Sequence, residues 1–203
     1  MFTSIVLATH NLHKVDELRQ MLSGMPIEVL SMRDFPGIPE PDETGASFAE
    51  NAAIKAIAAS QYTHMPALAD DSGICIDALD GAPGIFSARW AGAGSTADDW
   101  ISKTLDLLAD IPDQARTCRY VCALCLTNAS GEVIAETHGT MEGRIATSAS
   151  GAGGFGYDPI FLVAPEFERT AAELTSGEKH AISHRGVALR NMMGRITATS
   201  QQA

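Results

Sequence analysis

Tyr120-Val-Cys-Ala-Leu-Cys-Leu-Thr127, then Asn128-Ala-Ser-Gly131, then Val133-Ile-Ala-Glu-Thr-His138 is the stretch that decides the fold class. Two runs of strand-forming residues flank a group of turn residues, the pattern of an antiparallel hairpin. Towards the N-terminus, Phe2 to Thr9 reads as a buried strand. Leu12, Val15, Leu18 and Leu22 then recur at helical spacing, with Asn11 placed to cap them. A Pro-rich loop from Pro36 to Pro41 follows. Ser47 and Glu50 form a capping-box pattern ahead of an alanine-rich helix that runs to about Tyr62. Ala67-Leu68-Ala69 and Ile74-Cys75-Ile76 read as short strands on either side of a turn, Asp70-Asp71-Ser72-Gly73, and Gly81 to Gly84 makes another tight turn. Thr96 and Asp99 signal a helix carrying Ile101, Leu105 and Leu108, which Pro112 stops. Towards the C-terminus, Phe161-Leu162-Val163 is a short strand. A last helix near Ser183 carries Leu189, Met192, Met193 and Ile196 on one face. Helices alternating with strands that include a hairpin imply an α/β fold with a mixed sheet.

Neither an internal repeat nor a low-complexity linker interrupts the chain, so one domain over residues 1–203 is expected, with enough mass to divide into two lobes around a cleft. The 203 residues are 45% hydrophobic, yet no apolar run reaches the length of a membrane span and the start lacks the basic region of a signal peptide. A cytosolic protein is therefore expected. Its formal net charge of −11 excludes a general nucleic-acid binder, which needs a basic face. An anionic small substrate stays compatible if a divalent cation and a few basic residues reverse the field locally. The four cysteines point to reduced thiols. Strand alternation puts Cys122 and Cys125 on opposite faces, which argues against a shared zinc ion.

Several short segments carry candidate chemistry. Thr9, His10, Asn11, Leu12, His13 and Lys14 sit at a strand-to-helix junction, where free backbone N–H groups and the helix dipole favour an anion. The glycines of a Walker A loop are missing there. Asp70 and Asp71 are adjacent carboxylates that need solvent, basic groups or a cation to relieve their repulsion. Magnesium takes one or two such groups together with water and phosphate oxygens, and Glu43 is a further candidate. The same acids also suit a bland role in holding turn N–H groups. Ser72 lacks the surroundings of a nucleophile elbow and reads as a hydrogen-bonding group. Gly151-Ala-Gly-Gly-Phe-Gly156 matches G-x-G-x-x-G but opens no helix, so it reads as a loop placing Phe155 against a flat ring and Asp158 near a polar group. Lys179, His184 and Arg185 gather around a helix start, where they suit a phosphate or a base edge, or plain surface.

In this order, the segments resemble the inosine/xanthosine triphosphate pyrophosphatase family, the RdgB-like non-canonical purine nucleoside triphosphatases. The matching blocks are Leu7 to Lys14, Glu43 to Asn51 with Lys55, Ala69 to Gly73 through Pro83-Gly84 to Arg89, Gly154 to Pro159, and Glu178-Lys179 with Ser183 to Gly186. Together they span nearly the whole chain. The resemblance implies an elongated α/β fold with a long central mixed sheet, two lobes flanking an active-site cleft, and a homodimer. It further implies a magnesium-dependent enzyme that hydrolyses ITP, dITP or XTP to the monophosphate and pyrophosphate. Asp71 then corresponds to the catalytic acid and metal ligand, with Glu43 and Asp70 supporting the metal. Thr9, His10, Asn11, Leu12, His13, Lys14, Lys55 and Ser72 would meet the triphosphate. Phe155, Gly156, Tyr157, Asp158, Lys179, His184 and Arg185 would hold the nucleoside and its base. His10 and His13 depart from the family, which often has glycine at these positions. A nucleotide-binding or sensor protein without turnover is the alternative from another class, and intact Asp70, Asp71 and Lys14 argue against it.

Overall fold

A computed structural model describes residues 3–24 and 27–200, with the side chains of the last helix described as far as Gly194. The elements run β1 (Ser4–Leu7), α1 (Leu12–Leu22), β2 (Glu28–Ser31), α2 (Phe48–Thr63), β3 (Ala67–Ile76), α3 (Ala97–Leu107), β4 (Thr117–Thr127), β5 (Val133–Ile145), β6 (Phe161–Val163), α4 (Ser176–Ile182) and α5 (His184–Ser200). The six strands form one sheet in the order β2-β1-β3-β4-β5-β6. Parallel pairs β1·β2 and β1·β3 meet the antiparallel pair β5·β6, so the sheet is mixed as expected. Parallel neighbours need long crossovers, which α1 and α2 supply. The hairpin expected at residues 128–131 is present: the Asn128 N–H donates to the Glu132 carbonyl at 3.0 Å and the Gly131 N–H to the Asn128 carbonyl at 3.1 Å.

One reading is corrected. Asp70-Asp71-Ser72-Gly73 is not a turn but the middle of a continuous ten-residue strand. Adjacent acids and a glycine imitate turn chemistry in the sequence. Their charges are matched by cations distant in the chain, so extended backbone is retained. Smaller differences follow the same local rules. Of the Phe2 to Thr9 strand, Phe2 lies outside the described residues and β1 covers four. Ser47 caps α2 through its hydroxyl, which accepts from the Glu50 N–H at 3.2 Å, but the Glu50 carboxylate turns to the Ala46 N–H at 2.7 Å. The last helix starts at His184 and is preceded by a separate seven-residue helix. The Ile196 side chain lies outside the described residues.

The chain forms two compact units. The first comprises residues 1–71, 122–139 and 185–203, the second residues 72–121 and 140–184. In the first, strand alternation separates two apolar clusters. Leu7, Leu68, Cys122, Leu124 and Leu126 pack with Val15, Leu18 and Leu22 of α1 and Ala188, Leu189 and Met192 of α5. Val6, Ala8, Ala67, Ala69, Ala123 and Cys125 instead meet Ala52, Ala56 and Ala59 of α2. Cys122 and Cys125 therefore face opposite ways, as the alternation required. Truncating a fully buried side chain such as Leu124 to alanine would cost about 2–5 kcal/mol. The second unit has its own core, built from Ile74, Ile76, Cys118, Tyr120, Met141, Ile145, Tyr157, Ile160 and Phe161 with Ile101 of α3.

Candidate functional site

In the first unit, α1 begins where β1 ends. The Asn11 side-chain oxygen accepts from the His13 and Lys14 N–H groups, and the Thr9 hydroxyl accepts from the Asn11 N–H at 3.2 Å. This cap fixes the first turn and with it Lys14. His10, Leu12 and His13 are exposed around it. Neither His10 nor His13 is among the residues with positive φ, so histidine at these positions asks nothing of the backbone that only glycine could give.

Lys14 reaches Asp70 Oδ1 at 3.1 Å. Asp70 Oδ2 accepts from Arg185 Nε at 3.2 Å and Nη2 at 3.0 Å, and Arg185 Nη1 donates to Glu17 Oε2. Asp70 is wholly buried. Burial pushes its acidity down, yet Lys14, Arg185 and Lys55 more than offset that, and the carboxyl is held far below the usual range. Asp71 differs from its neighbour. Its Oδ1 accepts from Lys55 Nζ at 2.7 Å, and the same ammonium reaches Glu43 Oε1 at 3.0 Å. Two carboxylates thus share one cation. Burial wins at Asp71 and raises its pKa against the pull of Lys55 and Lys14, with Glu43 adding to the rise. At Lys55 the balance of causes is reversed: burial lowers its pKa, but Asp71, Asp70 and Glu43 outweigh burial and raise it, so it stays charged. Asn51, buried in α2, donates to Asp71 Oδ2 at 3.4 Å and accepts from the Gly45 N–H at 2.9 Å.

Among the described residues, no three His, Cys, Asp or Glu side chains form a closed metal cage. Magnesium does not require one, since water and substrate phosphates complete its shell. Glu43 and Asp71 fit a bridging cation, because both already reach a single ammonium and their side chains are 27% and 10% exposed. Asp70 fits less well as a direct ligand, because its side chain is 0% exposed and both oxygens are engaged by Lys14 and Arg185.

In the second unit, Ser72 follows Asp71 in β3 and is partly exposed. The glycine-rich loop does not open an α-helix; it leads into a single 3-10 turn over Asp158–Ile160, which disposes of a dinucleotide fingerprint. Asp158 anchors this region. Its Oδ2 accepts from the Phe155 N–H and from Lys179 Nζ, each at 2.7 Å, and Tyr120 O–H donates to Oδ1 at 3.3 Å. The Lys179 ammonium lies 4.8 Å from the Phe155 ring centre. Gly154 takes φ +71°, and a Cβ there would fall 2.1 Å from Asp158 Oδ2, so only glycine lets the loop close on that carboxylate. Gly156 also has positive φ, and Tyr157 is buried with its O–H donating to the Ser87 carbonyl at 2.9 Å. His184 stacks on Tyr120, with ring centres 4.8 Å apart. A concavity of about 630 Å³ elsewhere in this unit, beside Lys103 and Asp106 of α3, contains none of these residues.

The structure therefore divides the expected set. Lys14, Lys55, Glu43, Asp70, Asp71 and Arg185 belong to a charge network in the first unit, whereas Phe155, Asp158, Lys179 and His184 meet in the second. A profile of the Ham1 family matches residues 5–195. The chain belongs to the Ham1 family. Relatives with substantial identity carry the same designation: a dITP/XTP pyrophosphatase from an Exiguobacterium species is 49% identical over 95% of this chain and 96% of its own length. Another dITP/XTP pyrophosphatase, from Thioalkalivibrio sulfidiphilus, is also 49% identical, over 95% of this chain and 97% of its own. Among solved structures, a HAM1 protein from Coxiella burnetii is 44% identical with a TM-score of 0.87, covering 98% of this chain and all of its own. The Ham1 protein of Staphylococcus aureus is 33% identical with a TM-score of 0.85, covering 97% of this chain and 99% of its own.

Three residues in these Ham1-family clusters had no role assigned by sequence: Glu17, Asn51 and Tyr120. Asn51 carried a faint signal, a polar residue on the alanine face of α2. Glu17 lies one helical turn after Lys14, and Tyr120 sits in an ordinary strand pattern.

Proposed function

We propose that the protein hydrolyses deaminated, non-canonical purine nucleoside triphosphates, ITP, dITP and XTP, to the monophosphate and pyrophosphate. The observation that carries this reading is the Glu43–Lys55–Asp71 bridge beside the Lys14–Asp70 pair, in a chain of the Ham1 family. Lys14 and Lys55 supply fixed positive charge for the triphosphate, with backbone N–H groups around Thr9, His10, Asn11, Leu12 and His13 and the Ser72 hydroxyl as further donors. A magnesium ion held by Glu43 and Asp71 would polarise the phosphate oxygens and offset charge on the leaving pyrophosphate. Asp71, with its raised pKa, suits orienting or deprotonating the attacking water at the phosphorus of the α–β bridge. Asp70 serves by holding Lys14 and Arg185 in place.

Phe155 offers a flat apolar face for the purine, Gly156 and Tyr157 shape its loop, and Lys179 and His184 offer polar groups to the base edge. Hypoxanthine and xanthine present an acceptor at position 6 where adenine presents a donor. A fixed donor such as Lys179 therefore favours ITP and XTP over ATP. Arg185 gives donors to Asp70 and Glu17 and its side chain is 1% exposed, so a contact with the purine would require the buried network around it to open. No helix among the described residues is long and apolar enough to cross a membrane. The resemblance further supports a cytosolic homodimer, which light scattering tests.

The deciding experiment measures pyrophosphate release from ITP, XTP, GTP and ATP with magnesium and with excess EDTA. Release from ITP and XTP with magnesium, and none in EDTA, is the expected result. Tight ITP binding without turnover would make the protein a sensor, and undiminished turnover in EDTA would overturn the metal-dependent mechanism.

A further inference from the structure

Tyr120 lies in the core of the second unit, where a phenylalanine would pack on Phe161 equally well; the two ring centres are 4.4 Å apart. Its hydroxyl nevertheless has a specific partner, Asp158 Oδ1 at 3.3 Å. Burial, and then the Asp158 charge, push the phenol far above its ordinary pKa, so it remains a donor at any working pH. Asp158 Oδ2 meanwhile takes both the Phe155 N–H and the Lys179 ammonium. A carboxylate held at one oxygen only can rotate about its last side-chain bond. A donor at the other oxygen fixes its plane, and so fixes where Oδ2 aims both the loop and the lysine. The opposite use of the same side chain is the stack on His184, 17° from parallel.

We propose that Tyr120 is a positioning residue for purine recognition: its hydroxyl sets the Asp158 carboxylate that holds Lys179 and the Phe155 loop, and its ring sets the His184 imidazole. This rests on the nucleotide reading above. A hydrogen bond of 3.3 Å is longer than the usual O–H···O⁻ contact, so the effect is a tuning of geometry rather than an on–off requirement.

The test is Tyr120→Phe, which keeps the ring and removes the donor, beside Ile145→Val, which thins the same core without touching a polar group. Tyr120→Phe is expected to raise KM for ITP about fivefold to tenfold with kcat within about twofold, and to leave ATP nearly unchanged, compressing the preference. Amide hydrogen exchange at Phe155 should speed up by a similar factor, a readout independent of any nucleotide. Ile145→Val should lower the melting temperature and leave both the preference and the Phe155 exchange as they were. Unchanged Phe155 exchange in Tyr120→Phe overturns the positioning role, as does faster exchange with an unchanged ITP/ATP ratio, or equal losses for both nucleotides that track a lowered melting temperature. Absence of ITP turnover in the wild type would instead bring down the nucleotide reading, and the exchange measurement would still decide what Tyr120 does to the loop.

Discussion

In the first unit, Glu17, Glu43, Asp70 and Asp71 pair with Lys14, Lys55 and Arg185, whereas in the second Asp158 takes the Lys179 ammonium together with the Tyr120 O–H and the Phe155 N–H. The first arrangement is a network of several opposed charges held at short range. Within it Glu43 and Asp71 both reach Lys55 and keep some solvent exposure, which is where the proposed mechanism would seat a divalent cation. The second arrangement is built on directed hydrogen bonds to one carboxylate beside aromatic rings, which suits the proposed holding of a flat ligand.

The strongest way to break this contrast is Asp71→Asn. The change is nearly isosteric but removes the charge on which the cation and the water would depend in the proposed mechanism, so pyrophosphate release should fall at least about a hundredfold. The raised pKa of Asp71 adds a stability prediction with a definite sign. A folded-state pKa above the unfolded value stabilises at low pH, and that contribution is lost as pH rises through the folded value. At neutral pH the variant should therefore melt no lower than the wild type. A well-folded Asp71→Asn enzyme with near-normal turnover would remove the residue from catalysis.

Asp70→Asn, one position away, is expected to behave in the opposite manner. Its depressed pKa means that ionised Asp70 stabilises the fold above the unfolded aspartate value, and this is lost as pH falls towards the folded value. The substitution leaves the Arg185 guanidinium, 1% exposed, with its charge unmatched on that side, at a cost of about 3 kcal/mol. Chemical denaturation at pH 7 measures that loss, and the gap to the wild type should narrow below about pH 4. Equal stability of the two proteins at pH 7 would show that the buried network does not hold the first unit together.

A smaller effect separates the two clusters by substrate. On the proposed reading Lys14→Ala removes charge that would meet a triphosphate common to every nucleotide, so kcat/KM should fall alike for ITP and ATP. Lys179→Ala would remove the proposed base-edge donor, and the ITP/ATP preference should shrink on the order of tenfold. Measuring both nucleotides on both variants sharpens the contrast. A compressed ratio in Lys14→Ala would place base reading in the first unit as well.

Much of the scaffold was legible from local rules. The hairpin, the Asn11 cap, the opposite facing of Cys122 and Cys125, and the helix after Thr96 all depend on neighbours close in sequence, and the structure has each of them. The misread segment, Asp70 to Gly73, depended on partners far away: Arg185 stands 115 residues from Asp70. No window of sequence could show that two adjacent acids are neutralised inside a strand. The same reason hid Glu17 and Tyr120, whose roles arise only where α5 meets α1 and where β4 passes Asp158. Family blocks gathered Lys179, His184 and Arg185 as one group because they are close in the chain, but Arg185 points into the first network while Lys179 and His184 belong to the second.

The smallest expected effect concerns what carries Lys179. Helix α4 has only seven residues and is closed at its start by a reciprocal cap: Glu178 Oε2 accepts from the Thr175 N–H and hydroxyl, each at 2.8 Å, while the Thr175 hydroxyl accepts from the Glu178 N–H at 3.3 Å. These bonds from Thr175, followed by those from Arg169, lower the Glu178 pKa to about 2. A depressed carboxylate pKa gives stability that is present above the ordinary glutamate value and is lost as pH falls through to about 2. Glu178→Gln keeps an acceptor but not the charge. At pH 7 it should melt lower than the wild type by no more than a few degrees, and the difference should close as the pH falls towards 2. The ITP/ATP preference should stay within about twofold, because Lys179 is also held by Asp158 at 2.7 Å, independently of the cap. A preference that collapses in Glu178→Gln would mean that the second cluster takes its precision from the helix carrying Lys179 rather than from the carboxylate facing it.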